Sequence, residues 1–431
     1  MIDPFALAML LIGAMALMGL PIGLSMLSGS FVYLLARGLD PSLAAETMLQ
    51  GLYNGYTLLA VPLFILAADI MNVGSLAERL LGFCRALVGR FRGGLGHVNV
   101  VSSLIFSGMS GSAVADAVGI GKVITDMMIR TGSYSPAYSA ALTAATATIG
   151  PIIPPSIPMV LYALVSGQSV GYLFAAGILP GLLMALVMGL LNAWLAKRRG
   201  FPTDEAVPLR QLPRITLEAL PALMLPVILL GGIYGGVMTP TEAAAVAAAY
   251  ALVISVVFYR SVSLKTFFGT LVSGGRSTAA VGMLIAGALA FNYVIARENI
   301  PSSVSAMLGE MELTQVSFLI AVNLLFLVLG CILEAGVLLL IITPILIPTA
   351  QALGIDLVHL GVVLVVNAMI GLITPPYGLL LFIVSSMTRT PMMAVARELM
   401  PFIAVLIAAL VFMTFVPDFV LWLPRMLGYQ G

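Results

Sequence analysis

Gly150-Pro151-Ile152-Ile153-Pro154-Pro155-Ser156 and Gly371-Leu372-Ile373-Thr374-Pro375-Pro376-Tyr377-Gly378 are related stretches, and each interrupts apolar, charge-free sequence. Proline lacks the N–H that a helix needs, and it disfavours helical geometry in the residue before it. A Pro-Pro pair inside a bilayer therefore frees backbone carbonyls. Such groups persist there only where they are buried in protein or line a wet cavity. Two broken segments at matching positions predict the binding site of a secondary transporter.

The composition predicts a membrane protein with many helical segments. Apolar residues make up 61% of the chain and charged residues only 9%, against about 25% charged in soluble domains. The charge-free runs, of which 131–196 is the longest, predict about a dozen spanning or re-entrant elements. A net charge of +1 gives no electrostatic case for nucleic-acid binding. Two isolated His residues and the lack of a phosphate loop argue against an enzyme or an ATP-driven pump.

Counting residues indicates an internal repeat. Offsets of 221 and 222 residues superimpose marker positions of the two halves: Gly150 on Gly371, Pro154 on Pro375, and Ser112 on Glu334. We predict a first repeat at 1–200, a polar linker at 201–214 and a second repeat at 215–431. The basic residues 197–199 predict that the linker is cytoplasmic. The residues alone leave open whether the two repeats are inverted.

Each half is predicted to contain an interfacial arm helix, a re-entrant hairpin and a broken helix. The first arm helix should begin at the capping box 75–78 and the second near Pro301. Hairpins are predicted around 106–116 and 330–336, each followed by one of the Pro-broken segments. Their tips would gather hydroxyl and backbone oxygens, which suit a sodium ion.

Glu334 is the sharpest single candidate for a site residue. It lies between two runs of about twenty uncharged residues, and a carboxylate in mid-membrane costs about 2.5–3.5 kcal/mol on insertion scales. A bound cation or a proton would offset that cost. The alternative is an interfacial position paired with an Arg. Ser110 and Ser112 are weaker candidates, because hydroxyls in membrane helices often bond to their own backbone.

Two charged positions have both a functional and a structural interpretation. Arg297 ends an apolar run and could hold a carboxylate bidentately, or it could snorkel to the headgroups or pair with Glu298. Asp116 could be a ligand, but we expect it to neutralise Lys122 or to cap a helix. The stretch 239–242 is explained by a capping box with Pro at the first helical position.

The chain resembles the large membrane subunit of tripartite ATP-independent periplasmic (TRAP) transporters, the DctM-like family. The resemblance covers essentially the whole chain. It rests on six segments: Gly19–Leu24, Val61–Ile65, Ser110–Ala115, Gly150–Ser156, Gly235–Ala244 and Asn367–Gly378.

The resemblance implies an all-α, polytopic elevator-type transporter in the bacterial inner membrane. Two inverted repeats would supply arm helices, re-entrant hairpins and broken helices to a mobile transport domain beside a scaffold. A periplasmic substrate-binding protein would deliver a small organic acid, and a sodium gradient would drive its uptake without a cofactor. No small-subunit sequence precedes Met1, so a separate four-helix membrane subunit is expected as a partner.

The family's sodium sites map onto the hairpin and broken-helix tips of this chain. The implied ligands are Ser110, Ser112, Gly150, Pro154, Ser156, Gly330, Glu334, Gly371, Thr374 and Pro375. Family members often carry Asp where this chain has Glu334, and the longer side chain could shift the second ion site. The predicted substrate-binding residues are Arg297, Ser112, Ser156 and Asn367. The alternative function is an ion-coupled transporter or channel of the same superfamily that works without a binding protein.

Overall fold

The computed structural model describes residues 3–73, 76–203, 207–208, 210–260 and 262–431, and every regular element in these ranges is a helix. The predicted all-α fold class is confirmed. The helices up to the linker are α1 (Pro4–Leu17), α2 (Ile22–Ala36), α3 (Ser42–Asn54), α4 (Ala60–Val73), α5 (Leu76–Val88), α6 (Gly94–Ser110), α7 (Ala113–Val118), α8 (Ile120–Arg130), α9 (Pro136–Ala147), α10 (Ile157–Ser166) and α11 (Val170–Arg199).

The helices after the linker are α12 (Leu212–Tyr234), α13 (Pro240–Val253), α14 (Leu264–Arg297), α15 (Ile300–Glu310), α16 (Gln315–Gly330), α17 (Ala335–Val337), α18 (Thr343–Ala352), α19 (Leu357–Gly371), α20 (Leu379–Thr388), α21 (Met392–Phe415) and α22 (Pro417–Met426). A 3₁₀ turn at Tyr56–Leu59 joins α3 to α4. π-helical turns at Ile254–Phe258 and Leu338–Ile342 extend α13 and join α17 to α18.

Six helical segments among the described residues are long and apolar enough to cross a membrane: α11, α12, α13 with its π turn, α14, α17 to α18, and α21. A seventh candidate is the pair α3 and α4, which is bent by 74°. Six shorter apolar helices have 10–17 residues each: α1, α2, α10, α16, α19 and α20. Four of these short helices, α10, α16, α19 and α20, flank the irregular segments that the sequence predicts.

Local sequence explains where several helices begin. The predicted capping box is present at α13, where the Thr239 side chain accepts from the backbone of Glu242 and the Glu242 carboxylate accepts in return. Ser112 and Ser156 are the N-caps of α7 and α10. Each side chain accepts one backbone N–H of the first turn, without the reciprocal bond of a capping box. The predicted box at the start of α5 includes Ser75, which lies outside the described residues.

Four helices form a layer beside the irregular segments, and we call it the scaffold. α2 packs along α14, α13 packs along α4, and α4 also contacts α14. Helices α6 to α11 and α16 to α22 form a second unit, the core, in which α9 packs on α21 and α19 packs on α16. Every residue of α19 is buried, and none is charged except the ionisable His359. An uncharged helix of this kind suits the interior of a membrane protein.

The two hairpins open at opposite ends of the core. Contacts at two points along α21 define these two ends. At its start, Glu398 pairs with Arg199 at 2.7 Å, beside the linker. Near its end, the Met413 carbonyl lies 3.0 Å from Nε2 of His359, at the start of α19. These points are 15 residues apart (413 minus 398), or about 22 Å at 1.5 Å per residue.

The ends of the first hairpin, α6 to α8, lie next to the linker. The Gly93 amide donates to the Pro202 carbonyl at 2.9 Å, and the Tyr134 ring contacts Phe201 with centroids 4.6 Å apart. The ends of the second hairpin, α16 to α18, are joined at the far end, where the side-chain Nε2 of Gln315 donates to the Leu353 carbonyl at 2.7 Å. This arrangement is the one that an inverted repeat would produce. The repeat boundaries and the elevator motion remain predictions.

Candidate functional site

The tip of the first hairpin packs directly on the first broken segment, backbone against backbone. Gly111 has a φ of +60°, and a Cβ there would collide with the Pro155 carbonyl oxygen. A Cβ on Gly150 would lie 3.3 Å from the Ser112 carbonyl oxygen. Glycine is therefore required at the turn, and it permits the close approach at Gly150.

The serine hydroxyls at this tip differ in how many hydrogen bonds they already make within the protein. Ser156 is fully buried, donates to the Pro151 carbonyl and accepts from the Met159 amide at 3.2 Å. Ser112 accepts from the Ala115 amide at 3.4 Å, a long bond that leaves its donor free. The Oγ of Ser110 is buried and has no hydrogen-bond partner among the described residues. Ser110 and Ser112 thus retain more capacity to bind an ion than Ser156.

The second hairpin meets its broken segment through another glycine contact. A Cβ on Gly371 would lie 2.7 Å from Cα of Gly330, so the two backbones touch. The Gly378 amide donates to the Cys331 carbonyl at 3.1 Å, which ties the tip to the end of the broken segment. Thr374 donates its hydroxyl to the Ile370 carbonyl at 2.7 Å and keeps its lone pairs available.

The two tips meet at one cavity of about 120 Å³, which we call the tip cavity. It holds Ser112 from the first tip and Glu334 from the second, with apolar side chains of the scaffold helix α14 completing the wall. Binding sites for small molecules commonly measure about 300–1,000 Å³. The tip cavity is smaller than this range and has room for an ion with a little water.

Glu334 brings a carboxylate to this cavity without a compensating charge. It sits at the N-terminal cap of α17, but its side chain makes no capping hydrogen bond. Among the described residues, no ion pair includes it. The Arg partner of the alternative interpretation is therefore not found among the described residues, while the depth of Glu334 in the membrane stays a prediction. Its side chain is exposed, so the carboxylate is accessible to a cation that enters the tip cavity.

The other predicted ion-site residues lie around the tip cavity rather than in its wall. Ser110, Gly150, Pro154, Ser156, Gly330, Gly371, Thr374 and Pro375 belong to the two tips and broken segments but do not line it. The sequence places Ser112 with one ion and Glu334 with another. The structure brings these two side chains to a shared cavity. How many ions bind there remains a prediction.

Asn367 and Arg297, two of the predicted substrate-binding residues, do not line the tip cavity, although Asn367 lies two residues before the lining residue Met369. Asn367 is fully buried and donates to the carbonyl of Asn323 at 2.9 Å and to its Oδ1 at 2.7 Å. Arg297 is 13 residues after the cavity residue Leu284 on α14 (297 minus 284), about 20 Å along the helix.

Arg297 is exposed at the far end of the scaffold, and its expected partner is engaged elsewhere. Glu298 lies 2.6 Å from Arg37 and also accepts a hydrogen bond from the Tyr33 hydroxyl. These interactions, with the Tyr33 hydrogen bond the strongest, lower the pKa of Glu298. Arg297 adds a weaker electrostatic attraction to Glu298, but no hydrogen bond or ion pair joins the two among the described residues.

The expectation that Asp116 neutralises Lys122 or caps a helix is wrong. Asp116 is only 1% exposed and lies inside α7, whose cap is Ser112, while Lys122 is exposed. Both carboxylate oxygens lack a hydrogen bond of acceptable geometry within the described residues, although the Ser103 hydroxyl faces them. The sequence did contain a sign of this burial, since Asp116 is a lone acidic residue inside a run of small residues.

Two adjacent cavities at the far end of the core were not predicted at all. They measure about 450 and 480 Å³ and share Asn54, Gly55 and Leu164. Thr57 and Gln168 add polar groups to the first, so its wall is polar but uncharged. We call the pair the outer cavities. The polar break Asn54-Gly55-Tyr56-Thr57 within an apolar run was the clue.

Irregular backbone at two hairpin tips inside a bundle of apolar helices defines a polytopic membrane transport protein. Over residues 8–419 the sequence matches the family described as "Tripartite ATP-independent periplasmic transporter, DctM component". The chain belongs to this family, whose members are transport permeases and not enzymes. The resemblance seen in the sequence is thereby confirmed.

The sequence matches to known relatives cover nearly the full chain. One is the "Sialic acid TRAP transporter large permease protein SiaM" of Vibrio cholerae, 40% identical over 95% of this chain and 96% of its own length. Another is the "C4-dicarboxylate TRAP transporter large permease protein DctM" of the same organism, 38% identical over 98% of both chains.

A solved structure shares the fold of this chain. It is the crystal structure of the Alcanivorax borkumensis YdaH transporter, described as having an unusual topology. Its TM-score is 0.65 with 16% sequence identity, and the match covers 86% of this chain and 88% of that one. The likeness concerns the fold alone.

Proposed function

We propose that this chain is the solute-conducting subunit of a sodium-coupled importer for small organic acids. The observation that carries the proposal is Glu334, a carboxylate with no ion-pair partner among the described residues, which shares a small cavity with Ser112 where two irregular hairpin tips meet. A cation bound there would neutralise the carboxylate and bridge the two tips. Ion binding would then stabilise one arrangement of the tips, as coupling requires.

Sodium is the cation that the available ligands favour. Ser112, Ser110 and Thr374 offer neutral oxygens, and Glu334 offers one negative charge. The broken segments add backbone carbonyls of the kind that coordinate Na⁺ in secondary transporters. Divalent cations usually have more carboxylates, and no group of three or more His, Cys, Asp or Glu able to hold a metal occurs in the described part of the chain.

The solute and the partners are proposed from the relatives. Sialic acid and C4-dicarboxylates are both carboxylates, so we infer an organic acid as the solute of this chain. A periplasmic substrate-binding protein would deliver it, and a separate small membrane subunit would complete the scaffold in the inner membrane. The outer cavities have the size of a small-molecule site and offer a place for the solute outside the tip cavity.

An elevator movement accounts for the division into scaffold and core. The tip cavity is lined mainly by the core, with Val281 and Leu284 contributed by the scaffold helix α14. A core that slides along α14 would carry its bound ion and solute across the membrane while the scaffold stays in place.

Uptake into proteoliposomes tests this function. Vesicles containing the chain and a small membrane subunit of the family, with the binding protein outside, should accumulate solute only when sodium is higher outside. Omission of either partner should reduce uptake to the background of empty vesicles. Uptake by the chain alone would instead favour a transporter that works without a binding protein, and flux without accumulation would favour a channel.

We predict that Arg297 steers or binds the solute anion. Arg297→Lys keeps the charge but loses the planar fork, so it should raise the apparent KM for solute. Arg297→Ala should raise it further, by about tenfold or more, since a charged hydrogen bond contributes about 1.5–3 kcal/mol. The sodium dependence should stay nearly constant.

Arg130→Ala is the matched control, because Arg130 is exposed at the end of α8 on the linker side. It should leave the solute KM unchanged. Solute kinetics that are identical in Arg297→Ala and the parent would assign Arg297 to anchoring at the membrane surface.

A further inference from the structure

A groove of about 820 Å³ lies on the outer surface between α5, α6 and α11, away from the tip and outer cavities. Its floor on α11 consists of Ala185, Gly189 and Ala193, spaced four residues apart so that they share one helix face. Exposed leucines form a rim along the same helix, with Leu186 at 59% and Leu190 at 63%. The small floor residues make the surface concave rather than flat.

The groove is apolar over most of its length and basic at one end. Its polar lining residues lie on the linker side: His97 near the start of α6, Lys197 in the last turn of α11, and Arg92 in the connection between α5 and α6. Arg92 and Lys197 are exposed, and neither forms an ion pair with any residue that the structure describes. By contrast, Arg199 on the same turn as Lys197 is paired with Glu398.

The length of the groove matches one leaflet of a bilayer. Leu182 and Lys197 mark its two ends on α11 and are 15 residues apart (197 minus 182), or about 22 Å along the helix. Half of a hydrocarbon core is about 15 Å, and the headgroup layer adds several more. A lipid whose acyl chains lie on the α11 floor would thus place its phosphate beside Lys197.

We propose that this groove binds one anionic phospholipid of the linker-side leaflet. Its acyl chains lie against Gly189 and its neighbours, and its phosphate lies between Arg92 and Lys197. Basic residues at a membrane surface attract anionic headgroups by about 1 kcal/mol each, which is about fivefold in affinity per residue. A phospholipid supplies acyl chains for the apolar floor and one anionic phosphate for the two cations, and both lie at the spacing that the groove requires.

Trp194 provides a readout at the rim of the groove, because it is exposed and lies four residues after the rim residue Leu190 on the same face of α11. The only other tryptophan of the chain is Trp422, which Trp422→Phe removes. The full chain carrying Trp422→Phe would be reconstituted into vesicles of phosphatidylcholine with a small fraction of lipid brominated on the acyl chains. Brominated phosphatidylglycerol should quench Trp194 more strongly than the same fraction of brominated phosphatidylcholine.

Three variants separate the headgroup from the acyl-chain contribution. Arg92→Gln with Lys197→Gln should reduce the preference for phosphatidylglycerol about fivefold for each charge removed. Gly189→Leu should reduce quenching by both lipids, since a side chain at Gly189 extends into open space in the groove. Lys265→Gln, which removes an exposed cation at the start of α14, should change neither.

Equal quenching by the two lipids in the parent, or a preference that survives the double Gln variant, would overturn the proposal. Loss of the preference when the small membrane subunit is added would also overturn it, because the groove would then be a subunit interface. Circular dichroism and gel-filtration profiles that match the parent would show that the variants are folded.

Discussion

Replacing Glu334 with glutamine should abolish sodium-driven uptake. The substitution keeps the shape of the side chain and removes its charge, so the tip cavity loses the carboxylate that Glu334 contributes to its wall. A carboxylate about 4 Å from a cation contributes roughly 4 kcal/mol at an effective dielectric constant of 20. Loss of that energy corresponds to roughly a thousandfold in ion affinity.

The measurement is initial uptake against sodium concentration in the three-component proteoliposomes. The Glu334→Gln variant should show no sodium-dependent uptake at concentrations that saturate the parent, with equal amounts of protein in the membrane. Glu310→Gln is the control, since Glu310 is an exposed carboxylate at the end of α15. Full uptake by Glu334→Gln would remove Glu334 from the ion site.

Adding a single methyl group at Gly371 should also have a large effect. In Gly371→Ala the new Cβ would lie 2.7 Å from the Gly330 backbone, closer than such contacts occur, so the second tip must move off its broken segment. Overpacking of this kind costs about 1–3 kcal/mol. If the substitution destabilises the transport-competent state by this amount, the population of that state, and with it the uptake rate, should fall by about five- to 150-fold.

Gly231→Ala is the matched control, because a Cβ at Gly231 on α12 meets nothing within 4 Å. Uptake should remain near the parent level in this variant, and its thermal stability should equal or exceed that of the parent. Normal uptake by Gly371→Ala would show that the contact between Gly330 and Gly371 is not needed for transport.

The breaks in the helices could be predicted because their cause is local. Pro154-Pro155 and Pro375-Pro376 remove backbone donors wherever they lie in the fold, and both segments are irregular in the structure. The capping box at Thr239 is local in the same sense, and it is present. A capping box needs only four consecutive residues, so no knowledge of the packing was required.

The composition of the site could not be predicted in the same way. Ser112 and Glu334 are 222 residues apart (334 minus 112), and they share a cavity because two hairpins enter the core from opposite ends. No local pattern encodes that distance. The burial of Asp116 has the same origin, since packing against neighbouring helices excludes it from Lys122. The outer cavities depend on the approach of Asn54 to Leu164, again a contact between distant segments.

The coupling of sodium to solute is tested most directly by running the transporter on a solute gradient alone. The vesicles contain equal sodium concentrations on both sides, with binding protein and solute outside. They should take up radioactive sodium although no sodium gradient drives its entry. This sodium entry should depend on solute and should be absent from the Glu334→Gln variant. Solute entry into the parent vesicles without any accompanying sodium would contradict the account.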